Sequence, residues 1–254
     1  MKTIGIIPAR YGSTRLEGKP LKDICGKPMI QHVYEQACKA KLIDKVIVAT
    51  DDERIYKAVE GFGGEAAMTS KDHQTGSDRV SEVARNTDCD IVVNIQGDEP
   101  LILPEIIDEI VSALLEDKNA VMATGAYRIA KESMFHDPNT VKVVTDRQGN
   151  ALYFSRSLIP YPRKSEYLEV YEHIGIYAYR KEFLLTYVDL ENTPLALTES
   201  LEQLKVLEHG YKIKVVKTRY DYNALSVDTQ EDLEEVRRIM QTRMDTQRDS
   251  ERSA

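Results

Sequence analysis

A loop near the start of the chain collects the residue types best suited to bind an anion. Residues 4–7 form a short apolar run typical of a buried strand, and Pro8 ends it because proline has no N–H for a sheet ladder. The loop that follows carries these cations and glycines: Arg10, Gly12, Arg15, Gly18 and Lys19. Open α/β sheets bind phosphorylated ligands in such loops, at the carboxyl end of a first strand. We therefore predict a nucleoside triphosphate site here, with a solvated basic surface loop as the alternative.

This loop is not one of the two familiar phosphate-binding motifs. It lacks the G-x-x-x-x-G-K-[ST] pattern of a P-loop. It also lacks G-x-G-x-x-G, which disfavours a Rossmann oxidoreductase.

Composition narrows the possible partners and the compartment. The 254 residues include 42% hydrophobic ones, enough for the core of one large α/β domain. A net charge of −8 argues against a nucleic-acid partner, and no apolar run is long enough to cross a bilayer. Residues 1–30 are nevertheless net positive, which suits a small anionic ligand. Cys25, Cys38 and Cys89 form no C-x-x-C pair, so we expect the protein in the reducing cytoplasm. Because no apolar run is long enough, we also expect no membrane insertion.

Apolar periodicity predicts a doubly wound, mostly parallel Rossmann-like sheet with a small antiparallel lobe. Strands are predicted at 4–7, 45–50, 65–69, 90–95, 121–129, 141–145, 151–154, 173–180 and 213–216. Helices are predicted at 29–40, 53–60, 80–86, 104–114, 194–209 and from about 229. The short strands beyond residue 121 and the turn at 146–150 suggest that the later part of the sheet is antiparallel.

The chain is predicted to form one domain over residues 1–243. Its nucleotide-binding half covers about 1–120, a smaller lobe about 121–220, to which the family resemblance given below assigns sugar binding and dimerisation, and a final helix 226–243. Residues 244–254 are polar without apolar periodicity, which predicts a disordered tail.

Several polar groups stand where strands end or helices begin, and each has an ordinary structural explanation. Asp98 follows a central strand, so its carboxylate could enter the ligand crevice or simply belong to a turn. The segment 72–79 could cradle an anion or a base edge at a helix start, or Ser77 or Asp78 could merely cap that helix. A lone His173 on a half-buried strand is more often packed than functional.

Two further segments have equally plain explanations. Glu202 and Gln203 would normally be solvated helix residues. Thr229 and Asp232 match a capping pair at the start of the last helix, and Asp228 stands just before it.

Seven segments together, in the same order, resemble one family. They read PARYGSTRLEGKPL at 8–21, HQTGSDR at 73–79, QGDEP at 96–100, ALYFSRSLIP at 151–160, HIGIYAYR at 173–180, LEQLK at 201–205 and VDTQEDL at 227–233. These are similar to the motifs of the 3-deoxy-manno-octulosonate (Kdo) cytidylyltransferases, or CMP-Kdo synthetases, in the sugar nucleotidyltransferase superfamily. The resemblance extends from Ile4 to about Val236. Departures from the family's usual spelling occur at Thr75, Ser77, Ala196, Lys205, Ser226 and Gln230.

The resemblance implies roles for individual residues. It implies catalytic roles for Arg10, Lys19, Asp98 and Asp228. It implies nucleotide binding by Pro8, Ala9, Arg10, Gly12, Ser13, Lys19, His73, Ser77 and Arg79. It implies sugar binding by Gln96, Arg156, His173, Tyr177, Glu202 and Gln203. It implies that Asp98 and Asp228 are the metal ligands.

The implied reaction is attack by the anomeric hydroxyl of Kdo on the α-phosphate of CTP, giving CMP-Kdo and diphosphate for lipopolysaccharide biosynthesis. Two carboxylates near phosphates would each repel them by about 4 kcal/mol at about 4 Å in an intermediate dielectric. Asp98 and Asp228 could therefore share that site only around a cation, and oxygen ligands favour Mg²⁺. No Ser-His-Asp or Cys-His arrangement suggests a covalent nucleophile.

Two alternatives to this activity remain open at the level of the sequence. The same reaction could act on an 8-amino analogue of Kdo or another sugar acid, with Glu99, Ala196 and Lys205 as the places where specificity could differ. The chain could also be a catalytically silent regulator that binds a nucleotide sugar, although the presence of Lys19 and Asp98 argues against it. A homodimer is implied by the resemblance alone.

Overall fold

The computed structural model of the protein describes residues 1–12, 15–222 and 225–252. Its strands are β1 (Thr3–Ala9), β2 (Asp23–Ile24), β3 (Lys27–Pro28), β4 (Lys45–Thr50), β5 (Ala66–Met68), β6 (Ile91–Asn94), β7 (Met122–Arg128), β8 (Lys142–Thr145), β9 (Ala151–Ser155), β10 (Tyr171–Arg180) and β11 (Ile213–Lys217). Its helices are α1 (Met29–Ala37), α2 (Glu53–Gly61), α3 (Gly76–Arg85), α4 (Pro104–Glu116), α5 (Lys181–Tyr187), α6 (Pro194–Glu199), α7 (Glu202–Glu208) and α8 (Gln230–Arg252).

Parallel pairing dominates the half of the main sheet built from the first strands. β1 is parallel to β4 on one side and to β6 on the other, and β4 is parallel to β5. β10 lies antiparallel to both β6 and β7, whereas β11 is parallel to β7. The strand order through the described chain is β11-β7-β10-β6-β1-β4-β5. The prediction of a mostly parallel α/β sheet is therefore confirmed.

Helices cover both faces of this sheet, because successive residues of its central strands enter different cores. Ile4 and Ile6 belong to one apolar cluster together with Val80 of α3. Ile7 belongs to the opposite cluster together with Ile110 of α4. Strands buried on both faces read as continuous apolar runs, which is why the sequence pattern locates them well.

A third, smaller apolar cluster attaches the start of α8 beside the first loop. Leu16 and Leu101 pack here with Val227, Leu233 and Val236. The β2–β3 hairpin lies against the same helix. This packing brings the residues just before α8 to the carboxyl ends of β1 and β6.

The predicted antiparallel lobe is continuous with the main sheet. β8 pairs with β10 at Lys142 and Glu172, and β9 pairs with β8. The turn between β8 and β9 closes where the Gly149 N–H donates to the Asp146 carbonyl at 3.1 Å. Gly149 has φ +80, a conformation that favours glycine.

The single helix predicted from Pro194 to His209 is wrong, because the structure divides it into α6 and α7. Ser200 lies between them in the left-handed region, with φ 52. The Glu199 carboxylate accepts hydrogen bonds from the Ser155 hydroxyl at 2.7 Å and the Arg156 backbone N–H at 2.9 Å. These contacts fix the end of α6 to the end of β9, so the helix breaks where a long-range tertiary contact requires it.

The disorder predicted from residue 244 is also not observed as far as Arg252, because α8 continues to that residue. Polar helices without an apolar stripe can be supported by side-chain pairs one turn apart. The Gln241 amide, for example, donates to the Asp245 carboxylate one turn later at 3.0 Å. Residues 253–254 lie outside the described chain.

Candidate active site

A cavity of about 390 Å³ opens at the carboxyl ends of β1 and β6. The residues that the sequence analysis assigned to the site and that line it are Pro8, Ala9, Arg10, Lys19, His73, Arg79, Gln96, Asp98, Glu202 and Asp228. Segments far apart in the chain therefore meet at one place. Gly12 is exposed on the first loop, outside this lining, and Ser13 lies outside the described residues.

Lys19 joins the two aspartates that are furthest apart in sequence. Its ammonium nitrogen lies 2.7 Å from Asp98 Oδ2 and 3.2 Å from Asp228 Oδ1. The two carboxylate oxygens can be no further apart than the sum of those distances. Arg15, which the sequence analysis noted in the loop but did not assign to the site, also contacts Asp228 at 3.0 Å. The arrangement concentrates two carboxylates and two cations at one wall of the cavity.

The backbone around Asp228 explains how its carboxylate reaches this wall. The Val227 N–H donates to the Asp98 carbonyl at 2.9 Å, which ties the two loops together. Asp232 accepts from the Thr229 N–H at 2.8 Å, while the Asp232 N–H donates to the Thr229 hydroxyl at 3.2 Å. This reciprocal pair is the predicted capping of α8. Asp228 lies just before the capped turn, and its side chain lines the cavity.

Two glycines allow the loops to approach one another. A Cβ on Gly97 would lie 2.9 Å from the Pro8 carbonyl oxygen, closer than side-chain carbons come to backbone atoms. Gly18 has φ +66 immediately before the short 3-10 helix Lys19–Leu21. Its N–H donates to the Tyr11 carbonyl at 3.0 Å, and the Arg54 guanidinium stacks on the Tyr11 ring at 3.3 Å. The loop that bears Lys19 is thus held from both ends.

The start of α3 forms another part of the lining and combines cavity-facing groups with structural ones. Thr75 is the N-cap residue and forms a capping box with Asp78, so of the two residues suggested by the sequence Asp78 takes part in the capping and Ser77 does not. His73 pairs with the Glu82 carboxylate. Hydrogen bonds from the Ser70 N–H and from His73 lower the pKa of Glu82. Charged and polar groups at this wall are therefore already ordered around the cavity.

Arg79 lines the cavity while its guanidinium is held from behind. It is buried, donates to Asp51 at 3.0 Å and also donates to the Thr69 hydroxyl. An arginine held by a carboxylate and a hydroxyl has a fixed orientation. Arg79 therefore helps to fix the start of α3 beside the cavity.

Gln96 and Glu202 are the two assigned sugar-binding residues that face the cavity. The Gln96 amide donates to the Gly175 carbonyl at 3.1 Å, where β10 has an irregular register against β7. Glu202 accepts from the Ser77 hydroxyl at 3.2 Å and from the Tyr187 hydroxyl at 3.1 Å. Glu202 also lines an adjoining cavity of about 450 Å³ that extends toward Lys205.

The remaining assigned sugar-binding residues lie outside the lining of the first cavity as the described chain forms it: Arg156, His173, Tyr177 and Gln203. His173 packs between Phe154 and Tyr177, with ring centroids 5.1 and 5.3 Å away, and its Nε2 is 3.0 Å from the Thr124 hydroxyl. Burial lowers the pKa of His173 to about 3, so the imidazole is neutral. Burial likewise raises the pKa of the Tyr177 phenol.

Arg156 is engaged with the backbone around the broken helix. Its Nε donates to the Glu199 carbonyl at 2.7 Å, and its Nη1 donates to the Pro138 carbonyl at 2.8 Å. Beneath it the fully buried Lys142 ammonium donates to the carbonyls of Asp137 at 2.9 Å and Thr140 at 2.7 Å, and to that of Arg156. Burial lowers the pKa of Lys142. Gln203 is buried on α7.

Sequence reasoning missed Arg15 and Tyr222 as parts of this neighbourhood. Arg15 is one of the cations of the first loop, so the sequence pattern could have assigned it to the site. The Tyr222 hydroxyl donates to Glu99 at 2.8 Å across a separation of 123 residues, so no local pattern reveals it.

An α/β sheet that gathers cations and paired carboxylates beyond the carboxyl ends of its parallel strands has the form of a nucleotide-using enzyme. The cytidylyltransferase family model matches residues 4–213. The chain belongs to this family.

Relatives of known name align over almost the whole chain. A 3-deoxy-manno-octulosonate cytidylyltransferase of Geotalea uraniireducens (strain Rf4) is 55% identical over 247 residues, which cover 93% of this chain and 98% of the relative. One from Fusobacterium nucleatum subsp. nucleatum is 53% identical over 237 residues, covering 93% and 96%. A solved CMP:2-keto-3-deoxy-manno-octonic acid synthetase, complexed with CTP, superposes with a TM-score of 0.92 at 44% identity, over 96% of this chain and 100% of that one.

Within the described residues, no helix is both long and apolar enough to span a membrane.

Proposed function

We propose that this protein transfers the cytidylyl group of CTP to 3-deoxy-manno-octulosonate, releasing diphosphate. The relatives that align with it over most of their length carry the name of this activity. The observation that carries the proposal is the contact of the Lys19 ammonium with both Asp98 and Asp228, at 2.7 and 3.2 Å, in a cavity bordered by the cationic first loop.

The chemistry is a displacement at phosphorus. The anomeric hydroxyl oxygen of the sugar acid bonds to the α-phosphorus of CTP, the bond to the bridging oxygen of diphosphate breaks, and the hydroxyl proton leaves to water. Positioning and charge stabilisation are most of what such a transfer requires. Arg10 and Lys19 line the cavity and would stabilise the phosphate charge.

We propose Mg²⁺ as the cofactor, held by Asp98 and Asp228. Their oxygens converge on one point, and Mg²⁺ commonly takes one or two carboxylates together with water and substrate phosphates. When bound, Mg²⁺ would supply charge neutralisation at the phosphates.

We propose that the wall formed by the first loop and the start of α3 binds the nucleotide. The residues concerned are Pro8, Ala9, Arg10, Gly12, Lys19, His73, Ser77 and Arg79. Gln96 and Glu202, which also line the cavity, would contact the sugar acid directly. Arg156, His173, Tyr177 and Gln203 would shape the sugar site from the adjoining layer.

The test compares two single substitutions with a surface control. Asp98→Asn and Asp228→Asn should lower diphosphate release from MgCTP and Kdo by roughly 100-fold or more, because loss of a metal ligand exceeds the usual cost of losing its supporting groups. Asp88→Asn is the control, because that side chain is 97% exposed and pairs with Lys2 at the surface. Wild-type rates for either site variant would contradict the metal assignment. Product mass, measured with Kdo, its 8-amino analogue and a sialic acid, identifies the acceptor.

We also propose a homodimer in the cytoplasm. The edge strand β9 and the following loop carry exposed apolar groups, with Leu152 62% and Tyr161 85% exposed. Exposed apolar residues on an edge strand favour burial against another chain. Cys25, Cys38 and Cys89 are unpaired thiols in the described chain, as a reducing compartment favours. Sedimentation of the full chain, compared with Leu152→Lys, tests the dimer.

A further inference from the structure

The loops that carry Asp98 and Asp228 are joined by a side-chain hydrogen bond as well as by the backbone contact at Val227. The Tyr222 hydroxyl donates to Glu99 Oε2 at 2.8 Å. Tyr222 and Glu99 are only 6% and 8% exposed. Glu99 is the residue after Asp98, and Tyr222 precedes Asp228 in the segment between β11 and α8. The bond therefore connects the two halves of the carboxylate pair.

Glu99 is placed where an acid is costly. Burial and the neighbouring Asp98 carboxylate raise its pKa to about 7. Its other oxygen lies under β10, where a Cβ on Gly175 would be 3.6 Å from Glu99 Oε1. A polar pair in such a place adds little stability over apolar side chains of the same shape. What it adds is a defined geometry between two segments.

A second tyrosine provides an internal comparison. The Tyr127 hydroxyl donates to Glu172, and burial raises the pKa of both groups. The rings of Tyr127 and Tyr222 meet edge to face, with centroids 6.1 Å apart. Tyr127 and Glu172 lie on β7 and β10, which already pair with each other along the sheet. Their bond joins strands that are paired along their length, whereas the bond of Tyr222 joins loops that are otherwise tied by the backbone bond at Val227.

We propose that the Tyr222–Glu99 hydrogen bond is a positioning contact that sets the Asp98–Asp228 separation and thereby the affinity of the pair for a divalent cation. This inference rests on the proposed function, in which those aspartates hold the metal. Tyr222 acts through the loop it fixes and does not touch the reacting atoms.

The experiment measures metal binding directly. Mn²⁺ is titrated into the full chain with CTP and its free concentration is followed by electron paramagnetic resonance. Tyr222→Phe should raise the Mn²⁺ dissociation constant about 10-fold, the range seen when groups that orient metal ligands are removed. KM for CTP at saturating Mg²⁺ should change less than about 2-fold in the same variant, since the groups proposed to bind the nucleotide remain. Tyr127→Phe, which removes a similar hydroxyl, should leave the Mn²⁺ dissociation constant within about 2-fold of wild type.

A second pair of variants tests the acceptor. Glu99→Gln keeps an oxygen for the Tyr222 hydroxyl, whereas Glu99→Leu does not, so Glu99→Gln should bind Mn²⁺ the more tightly of the two. If Tyr222→Phe fails to fold, the comparison of Glu99→Gln with Glu99→Leu tests the positioning role instead. Wild-type Mn²⁺ affinity in Tyr222→Phe, or equal loss in Tyr127→Phe, would overturn the positioning role while leaving the proposed function intact. A wild-type protein that binds no Mn²⁺ with CTP would instead remove the metal assignment, and the positioning role with it.

Discussion

Two regions around the cavity differ in what their polar groups already contact. On the side of β1, the Lys19, Asp98 and Asp228 side chains are 15%, 26% and 36% exposed and face the open space. On the side of β9 and β10, Arg156 donates to backbone carbonyls and His173 is enclosed by aromatic rings. The first side presents charge to a ligand, whereas the second holds the shape of the wall.

This difference separates catalysis from stability. Substitutions on the β1 side should lower the rate with little effect on folding, because partly exposed ion pairs contribute at most about 1 kcal/mol. Substitutions on the β9–β10 side should lower the free energy of unfolding, because buried donors there satisfy backbone carbonyls that would otherwise be unpaired.

The largest effect is expected for Lys19→Met. It removes the cation between the two carboxylates, so kcat/KM should fall by about 1000-fold, at the upper end of losses seen for one charge-stabilising donor. Thermal unfolding should change little. Lys22→Met in the same loop is the matched control, because Lys22 does not line the cavity as described. If Lys19→Met lowered the free energy of unfolding by as much as it raised the activation free energy, the two regions would not differ in the way described.

Lys142→Met should produce the largest loss of stability. It leaves the carbonyls of Asp137, Thr140 and Arg156 without their buried donor, at a cost of roughly 3 kcal/mol in the free energy of unfolding. Denaturant titration measures it. Lys181→Met, where the ammonium donates to the Thr87 carbonyl at 2.7 Å, is the control and should cost about 1 kcal/mol. Equal costs would show that the cage around Lys142 adds nothing.

Arg156→Lys should change both the free energy of unfolding and the binding of the sugar acid, as expected for a residue on the β9–β10 side. Lysine cannot make the forked contacts to Glu199 and Pro138, so unfolding should become easier by about 1–2 kcal/mol. KM for Kdo should rise several-fold while KM for CTP stays constant, as measured by initial rates with each substrate varied. A rise in KM for CTP alone would move Arg156 to the nucleotide side.

At neutral pH the smallest effect is that of His173, because it appears only as the pH falls. Its folded pKa near 3 lies below the unfolded value of about 6.5, so the unfolded state binds more protons between these values. The contribution of neutral His173 to the free energy of unfolding is therefore fully present above pH 6.5. It is lost as the pH falls toward 3, by at most about 1.4 kcal/mol per pH unit. His173→Gln should flatten that dependence in denaturant titrations at pH 4–7. An unchanged slope would mean that His173 is not held neutral.

The sequence predicted the side of the site that depends on strand ends. Buried strands such as β1, β4 and β6 give unambiguous apolar runs, and the loops that follow them meet at one edge of a parallel sheet. The positions of Lys19 and Asp98 follow from that rule. Asp228 could be placed beside them only through the family's motif, because its loop reaches the sheet by packing of α8.

The other side could not be predicted because distant contacts decide it. The break between α6 and α7 depends on Glu199 reaching Ser155, and nothing in the local pattern from Pro194 to His209 signals it. The Tyr222–Glu99 bond spans 123 residues and is invisible to any periodicity. The helix beyond residue 244 is supported by polar side-chain contacts one turn apart, such as that of Gln241 with Asp245, which a search for apolar stripes overlooks.

The placement of Asp228 just ahead of α8 has a consequence for synthesis on the ribosome. A nascent chain that has emerged as far as β11 already carries Arg10, Lys19 and Asp98. It lacks the second carboxylate, which is held in place by the packing of Val227 and Leu233 against the rest of the fold. In the proposed mechanism the metal-binding pair is therefore complete only once the final helix has been translated and has docked, so enzymatic turnover would report completed assembly.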